Sequence, residues 1–290
     1  MKLQLLGTAA AEGIPGIFCD CPVCQRARRV GGREIRTRAG AMIDGVLKLD
    51  FGPDSYYQML RDHLDYAHLS AILITHSHSD HFAPIEMEFR YPGYAAAEDQ
   101  PLLTVYGNDA VGQGMARHVE RGQGRLAFQR MIPFEPVMIQ GYRVTALEAV
   151  HCIDWEGTKW PIAFGGKIWH RSEQALFYLI EKDGKSILYA HDTCEFTQDV
   201  MDFLAGRRID LISLDCTGGL MEFDYEQWIG HMAVGGNLNM RRKLMENGAA
   251  DGHTVFVANH FSHNGYASFE EIQAALPGFL VGYDSMTVEV

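Results

Sequence analysis

The sequence predicts a mixed α/β fold in which β-sheets are covered by helices on their outer faces, an αββα sandwich being one such arrangement. Short apolar runs rich in β-branched residues recur along the chain and are bounded by Gly, Asp or Asn, as is typical of strands. Segments with helical apolar spacing lie between these runs. Strands dominate the first part of the chain, where we expect hairpins, and strands and helices alternate later.

The predicted strands are Leu3–Leu6, Gly45–Phe51, Leu69–Thr75, Leu102–Tyr106, Tyr142–Val150, Ala175–Ile180, Ser186–Ala190, Ile209–Asp215, Thr254–Ala258, Phe279–Gly282 and Met286–Val290. The predicted helices are Ser55–Asp65, Asn108–Arg121, Gln198–Ala205, Asn237–Asn247 and Ser268–Leu276. Asn247-Gly248 is a typical helix end, and Ser268 with Glu271 fits a capping box. The chain has no internal repeat and no low-complexity linker, so we interpret residues 1–290 as one domain.

Composition and charge limit the possible partners. The chain has 290 residues, of which 47% are hydrophobic, and its formal net charge is −12. A negative surface repels nucleic-acid phosphates, so we expect no nucleic-acid polymer as substrate, although a small anion could bind at a locally positive metal site. No apolar stretch approaches the roughly 20 residues that span a bilayer. The apolar run after Met1 is too short for a signal peptide. We therefore expect a cytoplasmic protein with no membrane partner.

A dense group of histidine and aspartate residues follows the predicted strand Leu69–Thr75. It reads His76-Ser77-His78-Ser79-Asp80-His81. In an extended segment, residues two apart point the same way, so His76 and His78 can meet one cation, while Asp80 and His81 can meet a second. Imidazole and carboxylate suit zinc or manganese, and also iron or nickel. The alternative is a solvated polar loop, which three histidines directly after a buried strand make a poor explanation.

This run resembles the HxHxDH signature of the metallo-β-lactamase superfamily. The resemblance implies an αββα sandwich and further metal ligands, each at a strand end: a third histidine, a bridging aspartate and a last histidine. Three residues follow predicted strands in that order, namely His151, Asp192 and His260. Asp183 and Asp215 are rivals of Asp192, and His253 and His263 are rivals of His260. His191, where the family commonly has a small residue, is expected to point away from the metals.

The same resemblance implies a division of the ligands between two divalent cations. One cation would be bound by His76, His78 and His151, and the other by Asp80, His81 and His260. Asp192 would bridge them. A hydroxide between the cations would be the nucleophile, because two nearby cations lower the pKa of water. Asp80 thereby belongs to the catalytic as well as the metal-binding residues.

A second group of metal-binding residue types lies near the N-terminus, in the order Cys19-Asp20-Cys21-Pro22-Val23-Cys24. Three thiolates at this spacing can bind one zinc ion and leave one tetrahedral position open. The alternative is three free thiols on a surface loop. The remaining cysteines, at positions 152, 194 and 216, are scattered, a distribution that favours metal binding over disulfides.

The segment 13–29 around these cysteines resembles the cyclic phosphodiesterases of the carbon–phosphorus lyase pathway. A related protein of pyrroloquinoline quinone biosynthesis has the same cysteine pattern, so the pattern marks a subgroup. The resemblance implies a structural zinc whose fourth ligand is His263, three residues after His260. It also implies that His231, sixteen residues after Asp215, protonates the leaving alkoxide as a general acid. The alternative for His231 is a surface histidine at a helix start. The family further suggests a homodimer.

An apparent insertion at 152–171 departs from the family pattern. It has no clear period and contains three tryptophans and several cations: Trp155, Trp160, Trp169, Lys159, Lys167 and His170. A loop of this length can form a lid or pocket wall that stacks on a base or sugar and meets a phosphate. It can equally be a loop packed on its own aromatic rings. Both interpretations stay open from the sequence.

The predicted function is a dinuclear metal hydrolase, a phosphodiesterase acting on a small or cyclic phosphate ester. One alternative is hydrolysis of another ester or a lactone on the same metal core. A second is a metal-stabilised, non-catalytic carrier protein in cofactor biosynthesis. A nuclease resembling the tRNA 3′-processing enzymes is disfavoured by the acidic chain and the lack of a basic insertion.

Overall fold

The computed structural model describes residues 1–96, 99–154, 159–224 and 229–290. Its strands are β1 (Lys2–Gly7), β2 (Gly40–Ile43), β3 (Leu47–Leu49), β4 (Ala71–Leu73), β5 (Leu103–Gly107), β6 (Leu126–Arg130), β7 (Pro136–Ile139), β8 (Tyr142–Glu148), β9 (Trp160–Phe164), β10 (Lys167–Arg171), β11 (Leu176–Lys182), β12 (Lys185–Ala190), β13 (Leu211–Asp215), β14 (Val255–Asn259), β15 (Phe279–Val281) and β16 (Thr287–Glu289). Its α-helices are α1 (Pro22–Val30), α2 (Ser55–Asp62), α3 (Asp109–Arg121), α4 (Gln198–Leu204), α5 (Val234–Glu246) and α6 (Phe269–Ala275).

These strands form two seven-stranded mixed sheets and one separate hairpin. The first sheet has the order β16-β1-β2-β3-β4-β5-β6, and the second has the order β15-β14-β13-β12-β11-β8-β7. Strands β1, β2 and β3 pair antiparallel, whereas β12 to β15 pair in parallel. Helices α4, α5 and α6 lie between those parallel strands in the chain. The predicted succession, hairpins first and alternation later, is therefore correct.

Side chains alternate between two layers along the central strands, and this alternation builds the sandwich. In β11, Leu176, Tyr178 and Ile180 enter the core between the two sheets. The intervening Phe177 and Leu179 pack on the other face, in a core that also includes residues of α1, α4, α5 and α6. Residues of the opposite sheet pack in the same way against α3. The layers run helix, sheet, sheet, helix, as the sequence predicts.

Local sequence explains where several helices begin. The Ser268 hydroxyl accepts a hydrogen bond from Glu271 N, and the Glu271 side chain binds back to Ser268 N, which confirms the predicted capping box. Asn108 and Thr197 cap α3 and α4 with their side-chain oxygens. The helix predicted from Asn237 begins three residues earlier, at Val234.

Two segments predicted as loops contain regular structure. Within the N-terminal segment 13–29, residues from Pro22 onward form α1, because Pro is favoured in the first helical turn. Within the segment 152–171, β9 and β10 form an antiparallel hairpin. Its turn is Gly165-Gly166, whose φ angles of 59° and 75° suit a tight hairpin turn. Trp155 lies outside the described residues.

The β-hairpin from β9 and β10 packs through its own apolar side chains. Phe164 and Trp169 pack on a small core that includes Val150 and Cys194. Trp169 donates its indole N–H to the Phe164 carbonyl oxygen at 3.1 Å. These two side chains of the segment are therefore anchored on residues that precede and follow it in the chain, and the role of the insertion stays a prediction. No helix in the described part of the chain is long and apolar enough to cross a membrane.

Candidate metal centre

The histidine and aspartate residues singled out in the sequence converge at one edge of the sandwich. The segment from His76 to His81 follows β4 of the first sheet, and His151, Asp192 and His260 follow β8, β12 and β14 of the second. Eight residues form two groups of four, and within each group the ligand atoms lie within 4.8 Å of one another. One group contains His76, His78, His151 and Cys152, and the other contains Asp80, His81, Asp192 and His260.

Asp192 lies at the centre of this cluster. Its Oδ2 is 3.6 Å from His76 Nε2 and 3.4 Å from His151 Nε2, and its Oδ1 is 2.8 Å from His260 Nε2. His81 Nε2 is 3.2 Å from Asp192 Oδ2 and 3.0 Å from Asp80 Oδ2. A carboxylate that contacts members of both groups has the position expected of a bridging ligand.

Unpartnered buried atoms indicate that this cluster is suited to cations. Among the described residues, Nε2 of His76, His81 and His260 and Oδ1 of Asp192 are buried without a hydrogen bond of acceptable geometry. Buried polar atoms are normally satisfied, so such a concentration calls for a ligand. Imidazole nitrogens and carboxylate oxygens that converge in this way are a donor set for zinc, manganese or iron. The residues present therefore fit two divalent cations.

The opposite ring nitrogens are fixed by neighbours, which leaves Nε2 free for a cation in most of these histidines. His81 Nδ1 lies 2.7 Å from Asp50 Oδ2, and His151 Nδ1 lies 2.9 Å from the Gly230 carbonyl oxygen. His260 Nδ1 is 2.8 Å from Thr217 Oγ1. Such contacts select the ring tautomer and orient the ligand.

Burial and charge set the protonation of the cluster. Burial lowers the pKa of His76 well below its usual value and that of His151 to about 3, so both rings are neutral and have a lone pair to offer. Burial would raise the pKa of Asp192, but His260 and His81 outweigh it and hold that pKa well below its usual range. The bridging position is thus occupied by a carboxylate anion.

Left-handed backbone occurs at several residues of this site. Asp50, Cys152, Asp192 and His260 all have positive φ angles, between 47° and 61°. Left-handed backbone is unfavourable for residues with a Cβ and clusters where a site requires it. Gly52 shows the close packing here, because a Cβ at this position would lie 1.8 Å from the Asp80 carbonyl oxygen.

His231 lies beside the cluster and is paired with Asp215. Its Nδ1 is 2.8 Å from Asp215 Oδ2, and Asp215 is fully buried. Burial lowers the pKa of His231, but the Asp215 carboxylate outweighs this and raises the pKa above its usual value. Both His231 and His260 line a cleft of about 480 Å³ that opens over the cluster. A protonated imidazole in this position can act as a general acid.

The cysteine group forms a separate site. Ligand atoms of Cys19, Cys21, Cys24 and His263 lie within 4.8 Å of one another. His263 Nδ1 is 3.6 Å from both Cys19 Sγ and Cys21 Sγ. Its four members match a closed tetrahedral zinc site, which has no free position for a substrate. The site joins the start of α1 to the segment after β14.

Several supporting residues had no signal in the sequence. Asp50 accepts hydrogen bonds from Thr75 N and contacts His81, and Glu173 accepts from Ser77 and Asn108. Each is a single acidic residue at a strand end, with no motif around it. By contrast, the rejected His191 contacts Ser213 Oγ at 2.8 Å and belongs to neither ligand group.

The cations proposed for phosphate contact in 152–171 do not line this cleft. Lys159 and Trp160 line a different cavity beside α3, together with Glu173. Lys167 Nζ lies 6.0 Å from the centre of the Trp169 ring. Among the described residues, the cleft therefore receives no cation from this segment.

Comparison with known proteins identifies the superfamily of the chain. The model of the beta-lactamase superfamily domain matches residues 47–253. The chain belongs to the beta-lactamase superfamily. Membership implies a hydrolase fold that binds divalent metals. The matched range includes the histidine–aspartate run, His151, Asp192 and His231, while Cys19, Cys21, Cys24, His260 and His263 lie outside it.

Individual members of the superfamily resemble the whole chain. Coenzyme PQQ synthesis protein B of Methylorubrum extorquens strain AM1 is 24% identical over 317 aligned positions that cover all of both chains. The zinc-bound PqqB structure from Methylobacterium extorquens has a TM-score of 0.75 at 20% identity, covering all of both chains. A diphosphatase from the PhnP family has a TM-score of 0.71 at 21% identity, covering 100% of this chain and 98% of that one. These similarities support the fold assigned above.

Proposed function

We propose that this superfamily member is a dinuclear metal phosphodiesterase that hydrolyses a small or cyclic phosphate ester. The observation that carries the proposal is the combination of two ligand groups around Asp192 with the His231–Asp215 pair beside them. Similarity to a diphosphatase of the PhnP family supports a phosphoryl substrate. Zinc or manganese would suit the donors, with iron or nickel as alternatives.

Each residue has a distinct task in this proposal. His76, His78 and His151 would hold one cation, Asp80, His81 and His260 the other, and Asp192 both. When bound, two divalent cations would polarise phosphoryl oxygens and lower the pKa of water, which favours hydroxide as the nucleophile. Asp50 and Thr217 keep His81 and His260 in the orientation that presents Nε2. Cys19, Cys21, Cys24 and His263 would hold a structural zinc.

His231 would assist departure of the leaving group. Asp215 accepts its Nδ1–H, so the acidic proton is on Nε2. Nε2 would deliver that proton to the leaving oxygen as the P–O bond breaks. Asp215 remains ionised and stabilises the imidazolium before transfer. General acid catalysis of this kind typically contributes 10²–10⁴-fold.

A second candidate is a non-catalytic role in cofactor biosynthesis. Full-length similarity to Coenzyme PQQ synthesis protein B favours it. Hydrolysis of uncharged esters or lactones is a third possibility for the same donor set. The three differ in turnover, since only the first predicts hydrolysis of phosphodiesters by metal-loaded protein and only the second predicts no hydrolysis at all.

The test is a screen of protein loaded with zinc or manganese against cyclic nucleotides, aryl phosphodiesters and lactones. The Asp80→Ala protein should remain folded and lose nearly all phosphodiesterase activity, because one cation loses a ligand. The exposed His68 provides a control, and His68→Ala should retain full activity. Undiminished turnover by Asp80→Ala, or turnover of lactones alone, would contradict the proposal.

A further inference from the structure

We propose that the cleft selects a phosphodiester with a single negative charge, whose organic group offers O–H or N–H donors to Glu12. This inference rests on the phosphodiesterase function proposed above and adds a substrate class to it. Three features of the cleft wall support it: its described residues include no lysine or arginine, a carboxylate is fixed in it, and two aromatic rings line it.

The first feature is the charge of the wall. None of the described residues that line the cleft is lysine or arginine. The segments 155–158 and 225–228, outside the described residues, have no lysine or arginine in their sequence either. Proteins usually bind phosphate groups through arginine or lysine. A second phosphate on the substrate would therefore find no such partner on this wall.

The second feature is Glu12, which lines the cleft and is held from one side. Ser262 Oγ and Asn264 Nδ2 donate to its Oε1 at 2.8 and 3.0 Å. Among the described residues, none donates a hydrogen bond to Oε2. The side chain is 35% exposed, so Oε2 is accessible to a bound molecule. An anchored carboxylate with a free acceptor attracts donors and repels anions.

Glu12 also connects the cleft to the cysteine site. His263 Nε2 lies 3.7 Å from Glu12 Oε1, while its Nδ1 faces the cysteine sulfurs. Ser262 and Asn264, the two donors to Glu12, flank His263 in the chain. The position of Glu12 is thus fixed by the same short segment that carries a ligand of the cysteine site.

The third feature is aromatic. Phe223 and Tyr266 line the cleft together with Glu12. Gly218 leaves room for Phe223, because a Cβ at position 218 would lie 2.4 Å from the ring. Flat rings pack well against a nucleobase or the apolar face of a sugar, and these groups carry the O–H and N–H donors that Glu12 can bind. A nucleoside-like organic group therefore matches the wall.

The test compares two substrates that differ by one phosphate: adenosine 2′,3′-cyclic phosphate and the same compound with a 5′-phosphate. We expect wild-type protein loaded with zinc or manganese to prefer the former in kcat/KM by on the order of tenfold or more, because Glu12 repels the added charge. In Glu12→Gln, which keeps the side-chain size and an acceptor for Ser262, the preference should fall to about two- or threefold.

Two further measurements support the comparison. Glu181→Gln removes the same charge from β11, at a glutamate paired with Arg143, and should keep the wild-type ratio. Calorimetric binding of both compounds to the Asp80→Ala protein gives dissociation constants without turnover, and these should show the same preference.

The possible outcomes separate the two proposals. If wild-type protein hydrolyses neither compound nor any other phosphodiester, the proposed function fails and this inference fails with it. If it hydrolyses phosphodiesters but treats the two compounds equally, or prefers the 5′-phosphate, the substrate class is wrong while the function stands. An unchanged ratio in a folded Glu12→Gln protein would also overturn it, and the wild-type ratio decides the question even if that variant does not fold.

Discussion

The pair of Asp215 and His231 illustrates how a carboxylate determines the chemistry of a single buried residue. Without Asp215, burial would favour a neutral imidazole, which is too weak an acid to protonate a leaving group. With the carboxylate 2.8 Å away, the protonated form is stabilised. From the sequence, both residues could be identified only through family resemblance. Sixteen positions separate them, and no local pattern predicts their contact.

His231→Ala tests this role through the leaving group. We expect kcat to fall by about 10²–10⁴-fold for a substrate that releases an alkoxide, which needs a proton to depart. The loss should be much smaller for a p-nitrophenyl ester, whose phenolate leaves without one. Steady-state kinetics with both substrates checks the difference. An equal loss for both would show that His231 positions the site rather than donating a proton.

Lys48 is a fully buried lysine next to Asp50. Its Nζ donates to the Leu49 and Asp50 carbonyl oxygens at 3.1 and 2.5 Å, and burial lowers its pKa to about 7. The unfolded chain binds this proton up to a pKa of about 10.4. Between these values the unfolded state binds more protons, so the stability contributed by this group rises with pH.

Replacement of Lys48 by methionine therefore gives a pH-dependent effect. The unfolding free energy of wild type relative to Lys48→Met should increase from pH 7 to pH 10, by on the order of 2–4 kcal/mol. Urea denaturation of both proteins across this pH range measures the two unfolding free energies. Taking the difference between them cancels the contributions of the other titrating groups. A constant difference would mean that Lys48 stays protonated in the folded protein.

At the scale of elements, the strands that carry the metal residues could be predicted from sequence because they are apolar, β-branched and followed by polar ligands. Helix α1 and the β9–β10 hairpin could not. In α1 the cysteine pattern obscured a short helix whose buried side includes Val23 and Ala27. In β9 and β10 the alternation is weak, since exposed and half-buried side chains predominate. Pairing with each other, rather than patterning, determines those strands.

The cysteine group and α1 form one unit whose stability should depend on metal. Cys21→Ser removes one of the four proposed ligands, so we expect one metal fewer per chain and a melting temperature lower by several degrees. Metal analysis and calorimetry measure both. Cys216→Ser is the control, because Cys216 is buried outside the ligand groups and should keep the full metal content. An unchanged metal content in Cys21→Ser would refute the structural zinc.

At the scale of the whole molecule, the metal residues join the two sheets. Four of the seven come from the segment after β4 in the first sheet, and three come from strand ends of the second. Family resemblance identified this set from the sequence because the run from His76 to His81, and then His151, Asp192 and His260, follow predicted strands in the expected order. The supporting Asp50 and Glu173 escaped notice because their partners lie 31 and 96 positions away along the chain.

If cations bind as proposed, their removal should loosen one end of the sandwich rather than the whole fold. Chelation removes the cations and leaves only the imidazoles of His81 and His260 to offset the buried Asp80 and Asp192 carboxylates, which repel each other. Hydrogen exchange should therefore accelerate together in the segments 76–82 and 258–262, which belong to different sheets. The turn between β11 and β12 lies at the end of these two strands away from Asp192, and it should keep its exchange rate. Mass spectrometry of metal-loaded and chelated protein compares the three regions. Acceleration in one sheet alone would argue against a bridging centre, because a cation held by both sheets must release both when it leaves.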